Sequence, residues 1–422
     1  MLLDRLVASS QSGVRVRALG ANRAGEMRLF RFLHNKRVTP GEMVSAARTR
    51  TLARVRGRHV LAIQDTTSLR DQSNTSRHSL HLHPTIAVDA ADGAVMGLVD
   101  ARMLTRMGGK RATKKRRPFE EKESRRWLDA AFAAAGLIDA GAASVTVVAD
   151  READIYEAFA LRPPPVELII RAQQDRELAD GGRLSERLQD APDLGCEAID
   201  LPAGPGRKAR KAVLALRACP VRIAAPARSR AASMALPAEV PLWLVEAREI
   251  DPPPDAAAAH WLLLTTYPAP DIAAARRITG LYRQRWTIEQ VFRIMKTQGF
   301  DIEASRVGEG GPFENLAAAT LIASIEVLQM VRERDGAAQR PLTDVFDAAE
   351  QPAMATICAS LEGSTARQKN PHPPDSLAWA TWICARLGGW TGYYGKPGPI
   401  TVHRGKLRLM DMLHLHRLAR LV

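Results

Sequence analysis

Residues 144–156 read SVTVVADREADIY. An apolar, β-branched run (Ser144 to Ala149) ends on an acid, Asp150, and helix-forming residues follow from about Ala153. A short apolar run closed by such a switch predicts a buried strand feeding a helix. Upstream, His59 to Gln64 repeats the pattern and ends at Asp65; downstream, Val166 to Ala172 reads as a further strand. Between the two aspartates, His78 to Val88 and Ala94 to Leu104 read as strands joined at Ala91-Asp92-Gly93, a hairpin signal. An Ala-rich helix, Phe119 to Ala135, comes next. This order predicts an α/β fold, a mixed sheet flanked by helices. Asp65 and Asp150 then sit at the carboxyl ends of core strands, where such sheets usually place their chemistry.

Working outward, residues 176–260 alternate short apolar stretches (Lys211 to Leu216, Leu242 to Ala247) with Pro- and Gly-rich turns. They read as a β-rich insertion. Trp261 to Thr266 is a strand, and Asp271 to Gln298 reads as one long amphipathic helix stopped by Gly299. Beyond Gly311 the chain is mostly helical, with Ser364 to Pro374 as a linker. The amino-terminal region predicts short basic helices, Glu26 to Leu33 and Pro40 to Arg54, the second behind Thr39 as N-cap. The expected organisation is a basic helical region (1–58), a core with its insertion (59–350) and a helical carboxyl-terminal region (351–422).

Charge narrows the class. The 422-residue chain carries a formal +14. Residues 1–58 hold thirteen Arg and Lys against three acids, and Arg102–Arg117 and Arg207–Arg217 hold eight and five basic residues with no acid. Concentration at three sites points to a polyanionic partner, because each neutralised phosphate releases counterions. No apolar run reaches the ~20 residues of a membrane span, and the amino terminus lacks a basic stretch before an apolar one, so neither membrane nor secretion is expected. The four cysteines show no metal-ligand spacing and read as reduced thiols. A cytoplasmic, nucleoid-associated protein is the expectation.

Three acids stand out: Asp65, Asp150, and Glu289 within LYRQRWTIEQVFRIMK (281–296). An Asp closing a strand also serves as a turn former or helix cap. On a continuous helix, Tyr282, Arg285, Glu289 and Lys296 share one stripe at about 100° per residue. Leu281, Ile288, Phe292 and Met295 form an apolar stripe beside it. The alternative is a solvated mixed-charge face. Converging carboxylates suit two Mg²⁺ ions, roughly 3.5–4 Å apart, which activate an attacking oxygen and stabilise a leaving one. Neighbouring cations offset the carboxylate repulsion.

With Tyr-x2-Arg-x3-Glu-x6-Lys around the third acid, the chain resembles the DDE transposases of bacterial insertion-sequence family four. DTTSL, EKES-x-x-W, DREADI, WLLLT, the YREK signature (Tyr282, Arg285, Glu289, Lys296) and ARLGG match in order. The resemblance implies an RNase H-like core with Asp65, Asp150 and Glu289 as catalytic metal ligands for two Mg²⁺, Mn²⁺ substituting. It implies contacts to transposon-end DNA from Tyr282, Arg285, Lys296 and Arg151, and a flipped base stacked on Trp261, which is otherwise a core tryptophan. Arg210 and Lys211, in the third basic cluster, join the expected DNA-binding set. The implied reaction is nicking, hairpin formation, reopening and strand transfer into target DNA, by a homodimer on DNA with contacts in the carboxyl-terminal helices. One departure is that the chain begins at MLLDRLV where relatives have further sequence. The alternative is therefore a shortened, non-catalytic inhibitor that binds DNA or the full-length protein. His78, His81 and His83 are expected to be structural rather than a zinc set.

Overall fold

The computed structural model describes residues 23–70, 80–105, 119–201, 208–226, 236–254, 256–305, 307 and 310–419. His78, Arg207 and most of the Arg102–Arg117 cluster lie outside them. The elements run α1 (Arg23–Leu33), α2 (Pro40–Leu52), β1 (His59–Gln64), β2 (Thr67–Leu69), β3 (Leu80–Asp89), β4 (Val95–Thr105) and α3 (Arg125–Asp139). Then come β5 (Ser144–Ala149), α4 (Tyr156–Ala160), β6 (Val166–Arg171), α5 (Leu184–Gln189), β7 (Asp193–Leu201), β8 (Arg210–Ala224), β9 (Glu239–Ile250) and β10 (His260–Thr265). The rest is helical: α6 (Ile272–Arg283), α7 (Trp286–Lys296), α8 (Gly311–Glu333), α9 (Gln351–Leu361), α10 (Leu377–Leu387) and α11 (Pro399–Ala419). They group into two compact units, one of residues 57–65 with the described residues from 109 to 286, the other of the remaining described chain. The class is the expected one, an RNase H-like mixed sheet flanked by helices.

In the first unit the strands lie in the order β1-β5-β6-β10-β9-β8-β7. β1, β5 and β6 are parallel, and the rest pair antiparallel. The parallel strands are apolar on both faces and almost wholly buried, as strands covered on both sides must be. Helix α3 covers them with Trp127, Ala130, Ala131, Ala134 and Leu137, a helical-period stripe. The β-rich segment extends this sheet. Its strands β8 and β9 span 15 and 12 residues, longer than the apolar stretches predict. They alternate buried and exposed positions, so a search for apolar runs truncates them.

The expected long helix over Asp271–Gln298 is two helices. Gln284 and Arg285 donate their backbone N–H groups to Leu281 and Tyr282, three residues back, which tightens the chain and ends α6. No Pro or Gly marks the break. The cause is tertiary, since Arg285 turns to meet Asp65. The stripe drawn for Tyr282, Arg285, Glu289 and Lys296 on one continuous helix therefore does not hold.

The second unit is built around α8, whose buried residues run along most of its length. By length and composition α8 is long enough to cross a membrane, yet 89% of its most apolar window is buried inside the protein. It is a core helix, packed against α1, α2, β4, α10 and α11. Its polar groups are met inside the unit. Asn315 donates to the Leu33 and Val38 carbonyls, Gln329 donates to the Val95 carbonyl, and Glu326 receives Arg50 and Lys406.

The β2-β3-β4 strands pair antiparallel, and both described histidines of β3 are bonded to hydroxyls, His81 to Ser68 and His83 to Thr66. Ser364 to Pro374 is no free linker: the Asn370 amide donates to the Trp379 carbonyl at 3.1 Å and a short 3₁₀ turn spans Ala366–Gln368.

ARLGG acquires a physical reason at α10 and α11. A Cβ on Gly388 would stand 2.0 Å from the Thr401 carbonyl oxygen, and one on Gly405 would stand 1.6 Å from that of Cys384. The backbones touch where side chains cannot fit. Gly405→Ala is expected to lower stability by about 1–3 kcal/mol or more through forced separation. Thermal melting followed by circular dichroism reads this, and an unshifted transition would refute the close crossing.

Candidate active site

Strand register assembles the site. Gln64 pairs with Ala149 across β1 and β5, and Ala149 pairs with Ile170 across β5 and β6. The next residues, Asp65, Asp150 and Arg171, therefore form a row at the carboxyl edge of three parallel strands about 4.8 Å apart. Arg171 is also opposite Leu263 of β10. The capping reading of a strand-ending aspartate applies to Asp150: its carboxylate caps the following 3₁₀ turn, accepting the Arg151 N–H at 2.8 Å.

Two carboxylates on adjacent strand ends repel unless cations stand by. Arg285, its side chain 6% exposed, places Nη1 at 3.2 Å from Asp65 Oδ2. Arg171 Nη1 is 4.0 Å from Asp150 Oδ1. The Tyr282 hydroxyl donates a long hydrogen bond, 3.5 Å, to the same Asp150 oxygen. Burial, and then the Asp150 charge, push the Tyr282 phenol up to about 12. It stays a neutral donor at any working pH.

Exposure separates these acids from their neighbours. Asp65 and Asp150 side chains are 22% and 33% exposed, so both can meet solvent or a ligand. Asp154, four residues on in the same motif, is 0% exposed. It accepts the Gln173 and Gln174 N–H groups and the Arg176 fork at 2.6–2.9 Å, which ties the turn after β5 to the end of β6. Asp154 is structural; nothing in the letters DREAD separates it from Asp150.

The remaining site residues of this unit fall as follows. Trp261 is 5% exposed, tilted against Tyr282 and edge-on to Trp286 with ring centroids 6.0 and 6.1 Å away. Arg151 projects into solvent. Arg210 spends its fork on Glu249, at 3.0 and 2.7 Å, while Lys211 is exposed beside it on β8. Arg171 and Trp286 went unnoticed in the sequence. Only strand register could have found the first, and aromatic spacing around Tyr282 the second.

Glu289 and Lys296 belong to the second unit. Glu289 lies half-buried in the first turn of α7. Lys296, at the far end, donates to the Ser68 carbonyl at 2.6 Å and stands 3.6 Å from Glu303. Among the described residues no group of three or more His, Cys, Asp or Glu stands close enough to hold a metal ion. The Asp65/Asp150 pair itself fits one in part. Its accessible hard oxygens, with cations limiting their repulsion, are the donor chemistry Mg²⁺ prefers, and further ligands must join them.

A family model described as a transposase DDE domain matches residues 42–325, most of the chain and all of the elements that carry Asp65, Asp150 and Glu289.

Proposed function

The chain belongs to the transposase DDE-domain family, and we propose that it carries out cut-and-paste DNA transposition by strand cleavage, hairpin formation and strand transfer. The observation that supports this most is the in-register pair Asp65 and Asp150, each accessible and each facing a cation. In this reading Glu289 joins the pair to hold two Mg²⁺ ions, with Mn²⁺ as a substitute. When bound, these ions activate the attacking oxygen and neutralise charge on the leaving one.

Each step exchanges one P–O bond for another. A water oxygen attacks phosphorus in line and a 3′ oxygen leaves as the 3′-OH. That 3′-OH attacks the opposite strand to close a hairpin, a second water opens it, and the 3′-OH then attacks target DNA. No covalent enzyme intermediate forms, so positioning and charge stabilisation supply the rate. Arg285 fixes Asp65, and Tyr282 holds Asp150 as a neutral donor. Arg151, Lys211 and Lys296 hold phosphates of the transposon end. Arg210 does so by exchanging its Glu249 contact for DNA. Trp261 takes the flipped base, which requires its aromatic cluster to uncover one face. The active form is a homodimer on DNA, and the exposed Met412, Leu415 and Leu418 of α11 offer apolar surface for it.

The purified protein is expected to nick duplex DNA carrying its element's ends in Mg²⁺, to stop on chelation, and to resume in Mn²⁺. Failure to nick that DNA with either ion would overturn the proposal.

A further inference from the structure

We infer that a cationic cavity between α7 and the end of α8, in the second unit, holds a phosphodiester of a bound DNA strand. The inference rests on the transposase reading above and adds a DNA-binding site to it. The cavity measures about 430 Å³ and is lined by Arg293 of α7 and by Arg332 and Arg334 around the carboxyl end of α8. The carboxylate in its lining, Asp335, is already engaged by Lys396 at 2.7 Å and stands 4.0 Å from Arg334 Nε. The lining thus carries three guanidiniums and one carboxylate, and that carboxylate is held by Lys396.

The arginines' own hydrogen bonds leave that charge uncancelled. Arg332 donates to the neutral Thr287 hydroxyl at 3.2 Å, and Arg334 donates to the Pro397 carbonyl at 3.1 Å. The buried Arg334 Nε has no hydrogen-bond partner among the described residues. The α8 carboxyl terminus attracts cations, but its dipole amounts to roughly half a charge. That is too little to explain three arginines.

Guanidinium forks match phosphate oxygens in geometry and charge. The volume points beyond a bare anion, since it falls in the range of cavities that enclose whole ligands of about 300–1,000 Å³. Leu328 and Val331 give it an apolar wall beside the arginines, suited to the sugar that adjoins a strand phosphate. The Gln290 and Gln298 amides add neutral donors.

The test uses the full chain, with Arg293→Gln, Arg332→Gln and the double variant. Anisotropy titrations with transposon-end and random-sequence duplexes are run over a salt series. The double variant should weaken binding to both duplexes by about ten-fold and flatten the log K against log salt slope by about 1–2. Arg293 is exposed, so Arg293→Gln alone should flatten it by about 1 without moving the melting temperature, whatever Arg332→Gln does to folding. Slopes equal to wild type for both Arg293→Gln and the double variant would overturn the inference. So would loss of inorganic-phosphate binding with an unchanged DNA slope, which would make this a small-anion site. Wild-type nicking of element ends together with an unchanged variant slope sinks the cavity alone. Absence of wild-type DNA binding sinks the transposase reading itself.

Discussion

Asp150→Ala should lower Mg²⁺-dependent nicking of transposon-end DNA by roughly 10³-fold or more, about 4 kcal/mol of transition-state stabilisation. The fold should survive. Asp150 is a third exposed, and besides the long Tyr282 and Arg171 contacts it makes one N–H cap, worth about 1 kcal/mol. Asp150→Asn keeps the cap and should lose as much activity. DNA binding should move the other way. Removing the carboxylate leaves Arg171 with surplus positive charge, so the Kd for end DNA should hold or tighten. A structural role would lower binding and rate together, so measuring both separates the two. Wild-type nicking in Asp150→Ala would remove this residue from the chemistry.

The second large effect concerns stability. Glu326 sits inside α8 with its side chain 9% exposed, 2.6 Å from Lys406, which is 3% exposed. Its other partner, Arg50, is 46% exposed and adds less. Glu326→Ala strands the Lys406 ammonium in the interior, at an expected cost of about 3–5 kcal/mol. Replacing both partners, as Glu326→Leu with Lys406→Met, should recover much of that loss, because no charge remains to be desolvated. Chemical denaturation of the single and double variants measures it. A double variant as unstable as Glu326→Ala would mean that packing around α8, and not the ion pair, sets the loss.

Legibility in the sequence followed how each element is buried. β1 and β5 are bounded at the very residues expected, because strands covered on both faces read as unbroken apolar runs. β8 and β9 are one-sided, and their exposed alternate positions hid their length. The Thr39 cap is read from type and place, and its hydroxyl accepts the Glu42 N–H. The break between α6 and α7 was illegible, since it depends on a contact between Arg285 and an aspartate 220 positions away. The same holds for the site. Asp65 and Asp150 were visible as strand ends, whereas Arg171 enters only through register, and Asp154 differs from Asp150 only in what the fold packs around it.

Glu289 carries the strongest demand, because the proposed metal site needs a third carboxylate beside Asp65 and Asp150. Glu289→Cys, assayed for nicking of transposon-end DNA in Mg²⁺ and again in Mn²⁺, tests that demand most directly. A thiolate is a poor ligand for Mg²⁺ and a better one for softer ions. The expected result is near-complete loss in Mg²⁺ with partial recovery in Mn²⁺. Wild-type nicking in Mg²⁺ would contradict the account, because it would mean that Glu289 holds no metal.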